Sequence, residues 1–225
     1  MAVENLIKES EKPLSCLVLG IGNILWADEG FGVRAVERFN ELYEVEDENV
    51  KVEDGGTLGM FLLEPICRSK KLLILDCCDF HGRPAEMCVL KNDDIKIWAS
   101  TKISPHQTGM NDILASAMML GKKPEEICVV GMQPKLLDDY GGSLSPEIKA
   151  QLDSAAAKTK EILEEWGFKV VSRPKGSQAP KLSPSASLGI EAYEKDRPSE
   201  EEACRTGDER FFPRPFGGHG DEGGN

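Results

Sequence analysis

Ser15-Cys16-Leu17-Val18-Leu19-Gly20-Ile21-Gly22-Asn23-Ile24-Leu25-Trp26-Ala27-Asp28-Glu29-Gly30 joins an apolar run to a glycine-rich turn. Phe31, Ala35, Val36, Phe39 and Leu42 then recur at helical spacing. The run predicts a first strand over Ser15–Leu19 and a helix starting near Gly30. Strand, glycine turn and helix in that order open an α/β unit.

The rest of the chain repeats the alternation. Val50-Lys51-Val52 is a short second strand ending at Asp54-Gly55-Gly56-Thr57, and residues 58–67 read as a second helix. Leu72–Leu75 is continuously apolar, as in a strand buried on both faces. Met87–Leu90 forms another strand after the turn at Gly82-Arg83-Pro84. Residues 111–120 are helical, and Ile127–Met132 is the last strong strand. Ser145 as cap and Pro146 in the first turn open a long helix that runs to about Trp166, where Gly167 stops it. The predicted fold is α/β, a three-layer αβα arrangement with a largely parallel twisted sheet and helices on both faces.

Residues 15–171 hold this domain, after a polar arm at 1–14. About a quarter of residues 172–225 are proline or glycine, with no sustained periodicity, which predicts a flexible C-terminal tail. Within it, Phe211-Phe212 is a candidate docking motif, and His219 is weak evidence for a metal site.

Composition narrows the function. A net charge of −12 is repelled by phosphate backbones and anionic lipid, so neither nucleic acid nor a membrane is an expected partner. The opening Met1–Lys8 is too polar for a secretory signal, and no apolar run reaches the ~18 residues that span a bilayer. Seven cysteines without a C-x-x-C pair, most of them in apolar segments, suit reduced thiols in the cytoplasm.

Right-handed crossovers place the strand carboxyl ends on one edge, where ligands of open α/β sheets bind. Glu29, Asp54, Asp76 and Gln133 all follow predicted strands, and His106 precedes a helix. Gly20-Ile21-Gly22 begins a dinucleotide fingerprint, but its third glycine would fall at Leu25, so no nucleotide is expected. Asp28 and Glu29 each suit a helix amino terminus. Asp76, directly after four apolar residues, needs a partner, because burying a lone carboxylate is costly. His106 follows Pro105, which places its backbone rigidly. Together Glu29, Asp76 and His106 suit a borderline divalent ion such as nickel or zinc, although none of the short zinc spacings is present. The pair Cys77-Cys78 admits a redox reading, or a Cys–His pair with His106, against a filling role in core or loop. No G-x-S-x-G elbow occurs.

Several segments taken in order carry a resemblance. Leu17 to Leu25 with Asp28 to Arg34, Asp54-Gly55-Gly56-Thr57, Leu75-Asp76, Ser104-Pro105-His106-Gln107-Thr108-Gly109 and Val130-Gly131-Met132-Gln133-Pro134 are similar to the NiFe-hydrogenase maturation endopeptidases. The likeness covers about residues 15 to 168. Leu137-Asp138-Asp139-Tyr140-Gly141-Gly142-Ser143-Leu144-Ser145 further resembles the subgroup serving uptake hydrogenases. The resemblance implies an endopeptidase, aspartic-type in the broad sense, that removes the C-terminal extension of the hydrogenase large-subunit precursor after nickel insertion. It implies that Glu29, Asp76 and His106 contact nickel carried by that precursor. Asp54, Gly55, Gly56 and Thr57 match a substrate-recognition segment. A non-catalytic chaperone for the nickel-loaded precursor would use the same residues, and a metallopeptidase with its own metal is a further alternative. The nucleophile is not identified by the resemblance.

Overall fold

In the computed structural model, which describes residues 12–95, 105–174, 176–183 and 185–197, period-two burial organises the core. Strand β1 (Leu14–Ile21) sends Cys16 and Val18 to one side of the sheet and Leu17, Leu19 and Ile21 to the other. Strand β4 (Ser69–Cys77) divides in the same way, with Leu73, Leu75 and Cys77 against Leu72 and Ile74. All of these side chains are buried, so helices must cover both faces.

Helix α1 (Phe31–Leu42) covers the first face. Strand β2 (Tyr43–Val45), strand β3 (Val50–Gly56), a 3₁₀ turn at Gly59–Leu62 and helix α2 (Leu63–Arg68) come before β4. After it come β5 (Met87–Lys91), α3 (Pro105–Met119), β6 (Glu126–Met132), α4 (Pro146–Lys149), α5 (Leu152–Glu165), β7 (Val170–Ser172) and α6 (Ile190–Asp196). Helices α1 and α5 pack on the first face, and α2 and α3 on the second. The main sheet has the order β3-β1-β4-β6-β5. Its first four strands are parallel, and β5 runs antiparallel to β6. The segment between β4 and β5 is too short for a helical crossover, so β5 must return in the opposite direction. Gln133, just beyond β6, holds that segment: its Oε1 accepts from the amides of Phe80 and Gly82, both at 3.0 Å, and its Nε2 donates to Asp79 at 3.0 Å.

The three-layer architecture agrees with the expectation, but several boundaries move. The second strand extends to Gly56, and a bulge after the Gly20–Asp54 pair leaves Gly55 unmatched. The helix predicted over 58–67 is split into the 3₁₀ turn and α2. The long helix predicted from Ser145 breaks at Ala150-Gln151 into α4 and α5. Gly167, at φ +90°, ends α5 as expected, with Phe168 N donating to Leu163 O at 3.0 Å. His106 does not precede the helix but lies in the first turn of α3. The sequence also gives no sign of the antiparallel β2–β7 ribbon that ties the end of α1 to the chain beyond α5.

The expectation of a flexible tail from residue 172 needs correction as far as residue 197. Asn40 Nδ2 donates to Pro180 O and Arg34 Nη1 to Leu188 O, both at 2.6 Å, while Leu182 and Ile190 pack against the α1 face. Anchors reaching out from α1 order a segment that has no periodicity of its own. The docking motif at Phe211-Phe212, His219 and most of the N-terminal arm lie outside the described residues.

Glycines in the first turn set how closely α1 approaches the sheet. A Cβ on Gly32 would lie 2.2 Å from both Ile21 O and Leu75 O, and one on Gly20 would lie 2.3 Å from Gly32 O. Backbone cannot yield as a flexible side chain does. Gly32→Ala is therefore expected to cost about 3 kcal/mol or more by forced displacement of α1. Gly109→Ala in α3, whose Cβ would meet nothing within 4 Å, should be neutral or slightly stabilising. Urea unfolding of the two variants side by side tests the difference, and equal midpoints would refute it.

Candidate active site

The carboxyl ends of the parallel strands form one edge, and a cavity of about 530 Å³ opens there. Its floor is Ile21, Leu62, Met110 and Ile113, all but the first from elements of the α2–α3 layer. Glu29, half-buried in the 3₁₀ turn Ala27–Gly30, supplies a carboxylate to the wall. Gly56 and Thr57 approach from the end of β3, and Gly109 and Met110 from α3. Leu137 and Asp138 close the remaining side.

Asp28, next to Glu29, is wholly buried. Its Oδ1 accepts from Ser145 N at 2.7 Å. Its Oδ2 accepts from Lys135 N at 2.9 Å, Leu136 N at 2.8 Å and Ser145 Oγ at 3.0 Å. Four donors satisfy this carboxylate, as burial of a charge requires. The Ser145 hydroxyl is thereby diverted from the capping role that the sequence suggested. Asp28 N also donates to Leu136 O at 3.1 Å, and Gly141 N to Leu25 O at 2.8 Å. Trp26 and Tyr140 form a backbone bridge, with ring centroids 5.2 Å apart. The turn after β1 and the loop after β6 are thus zipped into one wall, and Glu29 is held by it.

Asp76 is fully buried at the end of β4, paired in register with Gly131. Strand parity puts it on the face of Leu72 and Ile74, the side on which the cavity lies. It is not among the residues lining the cavity. Cys78 Sγ donates to its Oδ2 at 3.8 Å. Burial pushes the Cys77 thiol well above its ordinary range, and the charges of Asp76, Asp28, Glu29 and Asp79 push it further. Glu29 and Asp76, far apart in sequence, therefore act on one point. His106 is one turn before Gly109 and Met110, which line the cavity, in α3.

The predicted recognition segment divides. Gly56, at φ +41°, and Thr57 reach the cavity. Gly55 is buried, and a Cβ there would lie 2.7 Å from Leu19 Cδ1. Asp54 Oδ1 accepts from Gly56 N at 3.0 Å and shapes the turn. Burial raises the Asp54 carboxyl, against the pull of the Gly56 amide and the Arg34 charge. Among the described residues, no group of three or more His, Cys, Asp or Glu side chains is gathered as a metal site. Gly20, read as the start of a nucleotide fingerprint, allows the close approach of α1.

Reasoning from sequence assigned Asp28 only a helix-end role. Its partners are 107 to 117 residues away, so no local spacing could reveal them.

A family model for hydrogenase maturation protease matches residues 33–163. The chain belongs to this family. The hydrogenase expression/formation protein HupD of Rhodobacter capsulatus is 44% identical over 203 residues, which cover 90% of this chain and 95% of that protein. The hydrogenase 2 maturation protease of Escherichia coli (strain K12) is 35% identical over 158 residues, 70% of this chain and 95% of that one. Among solved structures, the hydrogenase maturating endopeptidase HybD from E. coli superposes with a TM-score of 0.67 at 34% identity, covering 71% of this chain and 98% of its own.

Two outcomes follow for this protease. Asp28→Asn must turn an amide N–H₂ toward at least one of four donors, leaving a buried backbone N–H unpaired. It should lose about 2–4 kcal/mol in denaturant unfolding, and an unchanged midpoint would refute the staple. Burial also holds the thiols of Cys16 and Cys128 up, to about 12 and about 11, alongside that of Cys77. Iodoacetamide at pH 8 should leave all three unmodified in peptide mass maps, with proteolytic activity intact. Rapid labelling of Cys77 with loss of activity would instead mark it as a nucleophile.

Proposed function

We propose that this protease removes the C-terminal extension of a NiFe-hydrogenase large-subunit precursor after nickel insertion, and that the nickel carried by the precursor is what it recognises. The observation that carries the reading is a strand-end cavity with Glu29 in its wall, on the face of the sheet that also carries Asp76 and α3. Glu29 is open to that cavity, Asp76 lies buried on the same face, and α3 begins with Pro105-His106. Oxygen and nitrogen donors of this kind suit a divalent ion whose other ligands are supplied by the substrate.

In this reading Glu29, Asp76 and His106 contact the nickel and fix the precursor by it. Holding the metal holds the attached peptide, which turns recognition into positioning of the scissile bond. Nickel, as part of the substrate, supplies Lewis-acid polarisation to any carbonyl bound to it. β3 is the edge strand of the sheet and ends at the cavity, so an extended peptide has a backbone edge beside it. Gly56 and Thr57 would then face the residues flanking the cleavage point, with Asp54 fixing their turn. No helix among the described residues is long and apolar enough to cross a membrane.

Glu29→Gln, Asp76→Asn and His106→Ala are expected to remain folded and to slow processing of the nickel-loaded precursor by about 100-fold or more. Their losses should be strongly non-additive in pairs, as for groups that act as a unit. Ligation requires a neutral imidazole, so wild-type processing should fall as pH drops through about 6.5, and this acid limb should be absent in His106→Ala. The measurement is precursor mass against time, with thermal unfolding run in parallel. Near-normal processing by folded Glu29→Gln or His106→Ala would remove nickel contact from the reading.

A further inference from the structure

We propose that residues 176–183 and 185–197 form a positioning strap that steadies the loop after β6, one wall of the cavity, and so helps hold the precursor. The inference rests on the function proposed above for its substrate, but on separate contacts for its geometry.

At one end, α6 holds the loop after β6. Glu194 Oε1 accepts from Ser143 Oγ at 2.8 Å, and its Oε2 accepts from Lys149 Nζ at 2.7 Å. Tyr193 OH donates to Gly142 O at 3.3 Å. Gly142 and Ser143 fall between Leu137 and Asp138, which line the cavity, and Ser145, which binds Asp28; Lys149 ends α4 just beyond. The loop is rich in glycine around 141–142, so its shape depends on contacts of this kind.

The strap is anchored on α1. Arg34, a nearly buried residue of that helix, donates to Leu188 O at 2.6 Å, and its guanidinium lies 5.7 Å from the Tyr193 ring centroid. Further along the strap, Pro180 O accepts from Asn40 Nδ2 at 2.6 Å. The segment thus joins α1 to the loop after β6 without lining the cavity itself.

The strap is held at points rather than packed along its length. A pocket of about 520 Å³ lies between the strap and Glu37 and Glu41 of α1, beside the Asn40–Pro180 hydrogen bond. Such an element can hold or release a loop without carrying the main core.

Hydrogen–deuterium exchange on the full chain tests the coupling directly. In Glu194→Ala, amides of residues 137–145 should exchange about tenfold faster, with β1 and β4 unchanged. If the competent loop is populated less, the KM for nickel-loaded precursor should rise about tenfold while kcat stays within about twofold. Glu194→Gln, which keeps an acceptor for Ser143, should restore most of both, and Tyr193→Phe should show a smaller effect of the same kind. Unchanged loop exchange in folded Glu194→Ala would overturn the proposal. So would faster exchange spread evenly over the whole domain, or a fall in kcat at constant KM. Failure of the wild-type protein to process the precursor would count against the proposed function, and the exchange result would still decide whether the strap holds the loop.

Discussion

Four hydrogen-bond donors converge on the carboxylate of Asp28, and the working edge of the molecule depends on them. Three are backbone amides of the loop after β6, and the fourth is the Ser145 hydroxyl. A buried carboxylate is tolerable only when its acceptor sites are filled. The charge therefore fixes the loop as firmly as the loop stabilises the charge. Glu29 inherits its place from this staple, because it occupies the same single turn as Asp28. Two adjacent acids thus do different work: one is consumed in holding the wall, and the other is left open to the cavity.

The second constraint is the distance between α1 and the sheet. Gly20 and Gly32 let backbone approach backbone where any side chain would collide. This closeness brings the turn carrying Asp28 and Glu29 over the end of β4, where Asp76 lies. Packing and function share the same residues here, so a change at Gly32 would disturb both.

The contacts of the C-terminal segment extend the same logic outward. Arg34 and Asn40, within α1, meet the strap on one side, and the strap meets the loop after β6 on the other. One wall of the cavity is therefore supported by contacts that run from α1 through the strap. Supports at a distance of this kind can alter how a protein substrate is held while leaving the reacting groups in place.

Periodicity and punctuation in the sequence determined the layer structure. Alternating apolar residues in β1 and β4, the helical spacing after Gly30, and Gly167 as a stop are local signals, and local sterics enforce them. The motif order also disclosed the family and with it Glu29, Asp76 and His106 as candidates. Tertiary structure alone decided the role of Asp28, the reversal of β5, the break at Ala150-Gln151 and the strap. Each of these depends on partners distant along the chain: Asp28 on Ser145, β5 on β6, and Arg34 on Leu188. A residue's own neighbours in sequence carry no record of such partners. The free energy that fixes these features, from filled hydrogen bonds on a buried charge and from packed faces, appears only when the layers close.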